Sequence, residues 1–197
     1  MFKRTKGYFL LTMLVLTGLA GRMHSTILTT KERHTLVTEL KTSKTDFFKS
    51  VEGLSEKQFN FRPSKNALSI KDCIYKLASI ENNLWTSAKA ALKQDSPNLQ
   101  KTVSDDEQLS SFAEQKTFQC SELKLKNVKE ALKFYKNERA EMLKYVHTST
   151  ENVRAHVAKT CIGNFDVYQL VFLNSVLAKQ YTEQIERIKS NPKFPGQ

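Results

Sequence analysis

The sequence predicts an all-α protein: a four-helix bundle of up-and-down type with one long crossover between helices two and three. Four segments carry apolar residues at three- and four-residue spacing, the period of one helix face. Only 6 Gly and 4 Pro occur in 197 residues, too few for a turn-rich β-sandwich. Residues 94–124, between the second and third periodic segments, are polar and weakly periodic. A connection this long is unusual in a compact domain and fits a crossover that lets its two helices run parallel.

The first helix is expected over residues 29–51, with Leu36, Leu40, Phe47 and Val51 inward, Thr29 or Thr30 as cap and Gly53 as terminator. Residues 53–68 form a connector. Pro63 cannot continue a helix, and Leu54, Phe59 and Phe61 can pin the segment onto the bundle end. Ser69, followed three residues later by Asp72, opens the second helix with a capping box; Ile70, Ile74, Leu77, Leu84, Ala88 and Ala91 form its buried stripe. The crossover contains Pro97 and is expected to hold short pieces of helix. The third helix spans residues 125–146, with Val128, Leu132, Tyr135, Met142 and Val146 inward. Residues 148–163 are expected to be a loop. Asn164 or Asp166 caps the fourth helix, which presents Leu170, Leu173, Leu177, Tyr181, Gln184 and Ile188 on one stripe and stops at Asn191–Pro192.

The N-terminus has a different character. Lys3, Arg4 and Lys6 precede an apolar stretch over residues 8–20, interrupted by Thr12, Thr17 and Gly18. A basic head, an apolar centre and small residues at Gly18 and Ala20 are the pattern of a secretory signal peptide, expected over residues 1–20. Residues 21–27 are then a short tail, and residues 28–197 the folded domain. The apolar run is shorter than the roughly 20 residues of a membrane span, so no stable span is expected after signal removal. The chain is read as exported, periplasmic or extracellular; the alternative is an uncleaved N-terminal anchor. Cleavage would lower the formal net charge from +11 to +8 by removing Lys3, Arg4 and Lys6.

The remaining basicity does not point to nucleic acid. No run of five basic residues and no aromatic–basic interleaving is present. A basic, solvated surface is expected, with attraction to anionic envelope lipids or polymers as a weaker reading. The cysteines, Cys73, Cys120 and Cys161, form no C-x-x-C pair, which excludes a zinc knuckle or a thioredoxin-type site. Cys73 and Cys120 are expected near one end of the bundle, where a disulfide could join them, and Cys161 near the other.

The connector Gly53-Leu54-Ser55-Glu56-Lys57-Gln58-Phe59-Asn60-Phe61-Arg62-Pro63, followed by Leu68-Ser69-Ile70-Lys71-Asp72, resembles the first loop of the DinB-like family. So do Asp166-Val167-Tyr168-Gln169 and the closing run from Gln184-Ile185 to Pro195. The resemblance implies a bundle built around a three-histidine metal site, serving thiol-dependent transferases or isomerases and metal-dependent hydrolases. The positions at which it places histidine hold Lys76, Leu177 and Tyr181 here, and Leu68 stands where a Trp is usual. Leucine cannot ligate, a lysine ammonium repels a divalent ion, and tyrosine ligates poorly unless ionised. His24, His34, His147 and His156 lie elsewhere and do not rebuild the site.

The sequence therefore predicts a degenerate metal site with no cofactor. Its pocket is expected at Lys76, Leu177 and Tyr181, with Cys73 and Gln184 as neighbours. Lys76 and Tyr181 either form a pair that binds an anion or serves acid–base chemistry, or Lys76 reaches outward and Tyr181 fills space. The expected role is a non-catalytic module binding a small molecule or protein; the alternative is a transferase or hydrolase using non-histidine residues. A homodimer paired through helix faces is a further expectation from the resemblance.

Overall fold

The computed structural model describes residues 27–94, 99–114 and 118–196. The expected signal peptide and most of the short tail lie outside them. The elements are α1 (Thr30–Val51), α2 (Glu56–Asn60), α3 (Ile70–Ala91), a 3-10 turn (Asp106–Gln108), α4 (Leu109–Glu114), α5 (Val128–Thr148), β1 (Val157–Thr160), β2 (Gly163–Asp166) and α6 (Val167–Lys189).

Local chemistry sets the helix starts. Thr29 with Glu32, Ser55 with Gln58, Ser69 with Asp72 and Asp166 with Gln169 all close reciprocal capping boxes. Asn127 caps α5 through Glu130. Each cap satisfies amide donors that a helix start leaves unpaired, worth about 1 kcal/mol. Beyond α1, Gly53 takes a left-handed φ of 70°, which lets the chain turn back.

The four long helices form the bundle. Arg33 on α1 donates to the carbonyls of Val146 and Ser149, while Ser43 and Phe47 meet Arg139 and Tyr135, so α5 runs antiparallel to α1. The connector turns α3 antiparallel to α1 as well, leaving α3 and α5 parallel. Glu39 pairs with Lys179, and the Ser50 carbonyl accepts from Lys189, so α6 runs with α1. The expected stripes face inward: Leu36, Leu40 and Phe47, then Ile74, Leu77 and Leu84, then Tyr135 and Met142, then Leu170 and Leu173 are all buried. Among the described residues, no helix is long and apolar enough to cross a membrane.

An ion pair lies in the middle of this core. Glu81 of α3 and Arg139 of α5 are fully buried and joined twice, Nη2 to Oε2 at 2.6 Å and Nε to Oε1 at 3.1 Å. Arg139 also donates to Tyr135 Oη at 3.1 Å, to the Asn174 carbonyl at 3.1 Å and to Ser43 Oγ at 3.4 Å. One guanidinium therefore bonds to all four long helices. Burial pushes the Glu81 carboxyl up, and Arg139 beside it pulls it back; the carboxylate in turn holds Arg139 above its usual value.

Two expectations are corrected. Residues 148–163 are not simply a loop: β1 and β2 form an antiparallel hairpin, with Val157 opposite Asp166 and Thr160 opposite Gly163. The crossover stiffens it, because Thr102 N–H donates to the Asn164 carbonyl and Asn164 N–H to Thr102 Oγ1, each at 2.8 Å. Gly163, at φ 134°, packs so closely that a Cβ there would lie 2.5 Å from Thr102 Oγ1. The second correction follows from the first. The hairpin carries Cys161 back along α3, so the disulfide joins Cys120 to Cys161, with Cα atoms 5.3 Å apart, and Cys73 remains a buried free thiol.

The buried pair makes a direct prediction. Glu81→Leu alone strands the guanidinium and should cost about 3–5 kcal/mol in chemical denaturation. Glu81→Leu with Arg139→Met should recover most of that loss, because two apolar side chains need no counter-charge.

Candidate functional site

Of the residues singled out by sequence, Leu177, Tyr181, Gln184 and Lys76 line two adjoining depressions, and Cys73 lines neither. The larger, about 870 Å³, runs along the outer face of α6 beneath α4. Leu177, Tyr181 and Gln184 line it from α6 at helical spacing, together with Leu68 from the connector just before α3, Phe172, and Phe118 from the crossover. Lys179, Gln180 and Arg187, with the carboxylates Glu114 and Glu183, supply its polar margin, and the Lys179–Glu39 pair ties that margin to α1. Lys76 lines a smaller neighbouring hollow of about 300 Å³ with Ser79, Cys120 and Glu122, and Phe118 stands between the two.

The Lys76 ammonium is not buried in the larger cleft. Its side chain is 36% exposed and lies 3.7 Å from Glu122. Glu122 is placed there by the last crossover segment, which runs beside α3: the Leu123 amide donates to Ser79 Oγ at 3.0 Å, and Asn83 donates to the Ser121 carbonyl at 2.9 Å.

Tyr181 sits at the cleft floor, half-buried. Burial pushes its hydroxyl up to about 12, and neighbouring Cys73 adds to the shift. Cys73 is fully buried beneath it. Burial and the Asp72 carboxylate push that thiol up to about 12, which Lys76 only partly opposes. Burial thus disfavours the charged form of both groups, and neither has the depressed pKa of an activated nucleophile. Among the described residues, no three His, Cys, Asp or Glu side chains converge as metal ligands. His156 is occupied elsewhere, its Nδ1 3.0 Å from the Ala91 carbonyl.

Phe118, Phe172 and Arg187 were not among the expected site residues. Phe118 belongs to the weakly periodic crossover and reaches the cleft through its stack on Phe112, 5.7 Å away, which packs against Phe165 of the hairpin at 5.3 Å. Arg187 follows Gln184 at helical spacing; that periodicity was the available signal.

The comparisons bear on the fold. No family model and no curated protein matches the chain. Among solved structures the chain is similar to YfiT from Bacillus subtilis, described as a probable metal-dependent hydrolase with an unusual four-helix bundle topology. The likeness has a TM-score of 0.60 at 11% identity and covers 82% of this chain and 88% of that one. Identity this low carries architecture alone: the chain has an all-α fold similar to the four-helix bundle of that protein.

The cysteine arrangement is testable by mass spectrometry and alkylation. The unreduced protein should contain one disulfide, joining Cys120 and Cys161. Cys73 should resist alkylation in the native state and react fully once the chain is unfolded. Ready alkylation of native Cys73 would contradict its burial.

Proposed function

We propose that this is an exported binding protein whose α6 cleft holds a small amphipathic organic molecule without a metal. The observation that carries the reading is the lining of that cleft. Leu68, Phe118, Phe172 and Leu177 offer an apolar surface, and Tyr181, Gln184 and Arg187 offer donors that make no hydrogen bond or ion pair through their side chains among the described residues. A concave apolar surface with a few polar groups along one side is the usual form of a small-molecule site.

The side chains do not fit a divalent ion. Leu177 has no ligand atom. Tyr181 is a poor ligand unless ionised, and burial disfavours its phenolate. Lys76 is turned toward Glu122. This supports a degenerate metal site, and no chemical step is derived through a metal. Export is supported by the basic and apolar N-terminal pattern and by the Cys120–Cys161 disulfide, a bond that persists in oxidising compartments.

The rival reading, a hydrolase or transferase, draws on the likeness to YfiT. It needs a base or nucleophile in the cleft; among the described residues that line it there is no histidine, and the carboxylates are Glu39, which is held by Lys179, and Glu114 and Glu183.

A fluorescent aromatic sulfonate, anilinonaphthalene sulfonate, serves as the probe. The native protein should bind it at one site, unaffected by chelator. Gln184→Trp, which places an indole in the cleft, should weaken binding by roughly 10-fold, about 1.4 kcal/mol. Binding abolished by chelator, or unchanged in Gln184→Trp, would contradict the proposal.

A further inference from the structure

Charge is sorted on the outside of α1 and α5. Successive residues turn by about 100° around a helix. On α1 this puts Lys41 and Lys44 on the flank that meets α5, and Glu32, Glu39 and Asp46 on the flank toward α6. On α5, Lys129, Lys133 and Lys136 share the flank of Leu132, facing α1, while Glu130, Glu138 and Glu141 lie on the opposite flank, toward α3. The acidic flanks are partly neutralised: Glu39 pairs with Lys179, and Glu141 with Lys89.

The lysine flanks are not neutralised. Lys41, Lys44, Lys129, Lys133 and Lys136 have no ion-pair partner among the described residues, and neither does Lys49, further round α1. Burial pulls the Lys44 ammonium below its usual value, and the Lys136 and Arg139 cations pull in the same direction. Like charges gathered this way repel and cost the fold free energy, whereas a merely solvating surface mixes signs. Between the two flanks lies a groove of about 410 Å³, lined by Phe48, Val51 and Leu132, with Lys44 and Lys49 along it and one carboxylate, Glu52.

We propose that this α1–α5 face docks on a membrane surface rich in anionic phospholipid. Lysine ammoniums meet headgroup phosphates, and the long lysine stems and the Phe48–Leu132 groove lie against the apolar boundary beneath them. The apolar floor between the lysines favours a lipid surface over a soluble polyanion, which would gain nothing from it. Each lysine near such a surface contributes enough to change affinity about five-fold.

The test is co-sedimentation of the full chain with vesicles of phosphatidylcholine, alone or mixed with phosphatidylglycerol. The N-terminal segment is common to every variant, so differences between variants report the folded face. Phosphatidylglycerol should increase binding, and added salt should reduce it. The triple variant Lys44→Gln/Lys133→Gln/Lys136→Gln should bind about 100-fold more weakly. The control Lys65→Gln/Lys124→Gln/Lys193→Gln, equal in net charge, should bind like the native protein. Equal weakening by both variants would reduce the effect to net charge and overturn the proposal. So would binding to heparin without binding to the vesicles. Should the first triple variant fail to fold, a polarity-sensitive fluorophore at Thr45→Cys, on the groove, gives the same decision. Its emission should shift to the blue with phosphatidylglycerol vesicles, and no shift overturns the proposal.

Discussion

The bundle is organised around one buried ion pair. Glu81 and Arg139 occupy positions that the helical period assigns to the core: Glu81 continues the Ile74, Leu77, Leu84 stripe, and Arg139 the Leu132, Tyr135, Met142 stripe. Removing two charges from water is expensive, and the cost is offset only when geometry and hydrogen bonding are nearly complete. Here both carboxylate oxygens are engaged, and the guanidinium also reaches Tyr135, Ser43 and the Asn174 carbonyl. Such a pair is weak evidence of added stability; what it does couple is register, because a slip of α3 against α5 would strand two buried charges, and a slip of α1 or α6 would cost a hydrogen bond to the guanidinium. The bond to Asn174 lies one turn before Leu177. It thereby holds the rotation of α6 that turns Leu177, Tyr181 and Gln184 toward the cleft.

A second polar centre keeps the irregular parts in place. Arg154 pairs with Glu32 and Asp106, each at 2.7 Å, stacks 3.7 Å from the Tyr168 ring centroid and lies 3.6 Å from buried Asp166, which Lys101 also holds at 3.1 Å. The start of α1, the crossover and the start of α6 converge on it. At the far end of the crossover, the Cys120–Cys161 disulfide closes a long loop and fastens the segment carrying Phe118 to the hairpin. In the chain-entropy picture a loop of this length is worth about 4 kcal/mol. The cleft is therefore walled by a segment with little periodic structure of its own, held by ion pairs and a covalent tie.

The helices, their caps and their inward stripes were legible because they depend on local periodicity and on residues three apart, such as Ser69 with Asp72 or Asp166 with Gln169. The hairpin was not, because Val157–Thr160 is too short to alternate convincingly and takes its stability from pairing with Gly163–Asp166 and from Thr102, some sixty residues away in sequence. The Cys120–Cys161 pairing was hidden for the same reason, since the reach of Cys161 depends on that hairpin. At the site, Leu177, Tyr181 and Gln184 could be placed together because they share one helix face. For Lys76 the sequence left two directions open, into the pocket or outward; its ammonium lies beside Glu122 of the crossover, a contact that no local pattern announces. The Glu81–Arg139 pair did leave a signal: opposite charges on two core stripes.

The central claim is that this cleft works without a metal. The most direct measurement is the metal content of the protein, purified without a histidine tag and without chelator. The account expects a folded, metal-free protein. Near-stoichiometric zinc, nickel or manganese, released together with loss of structure or binding, would contradict it.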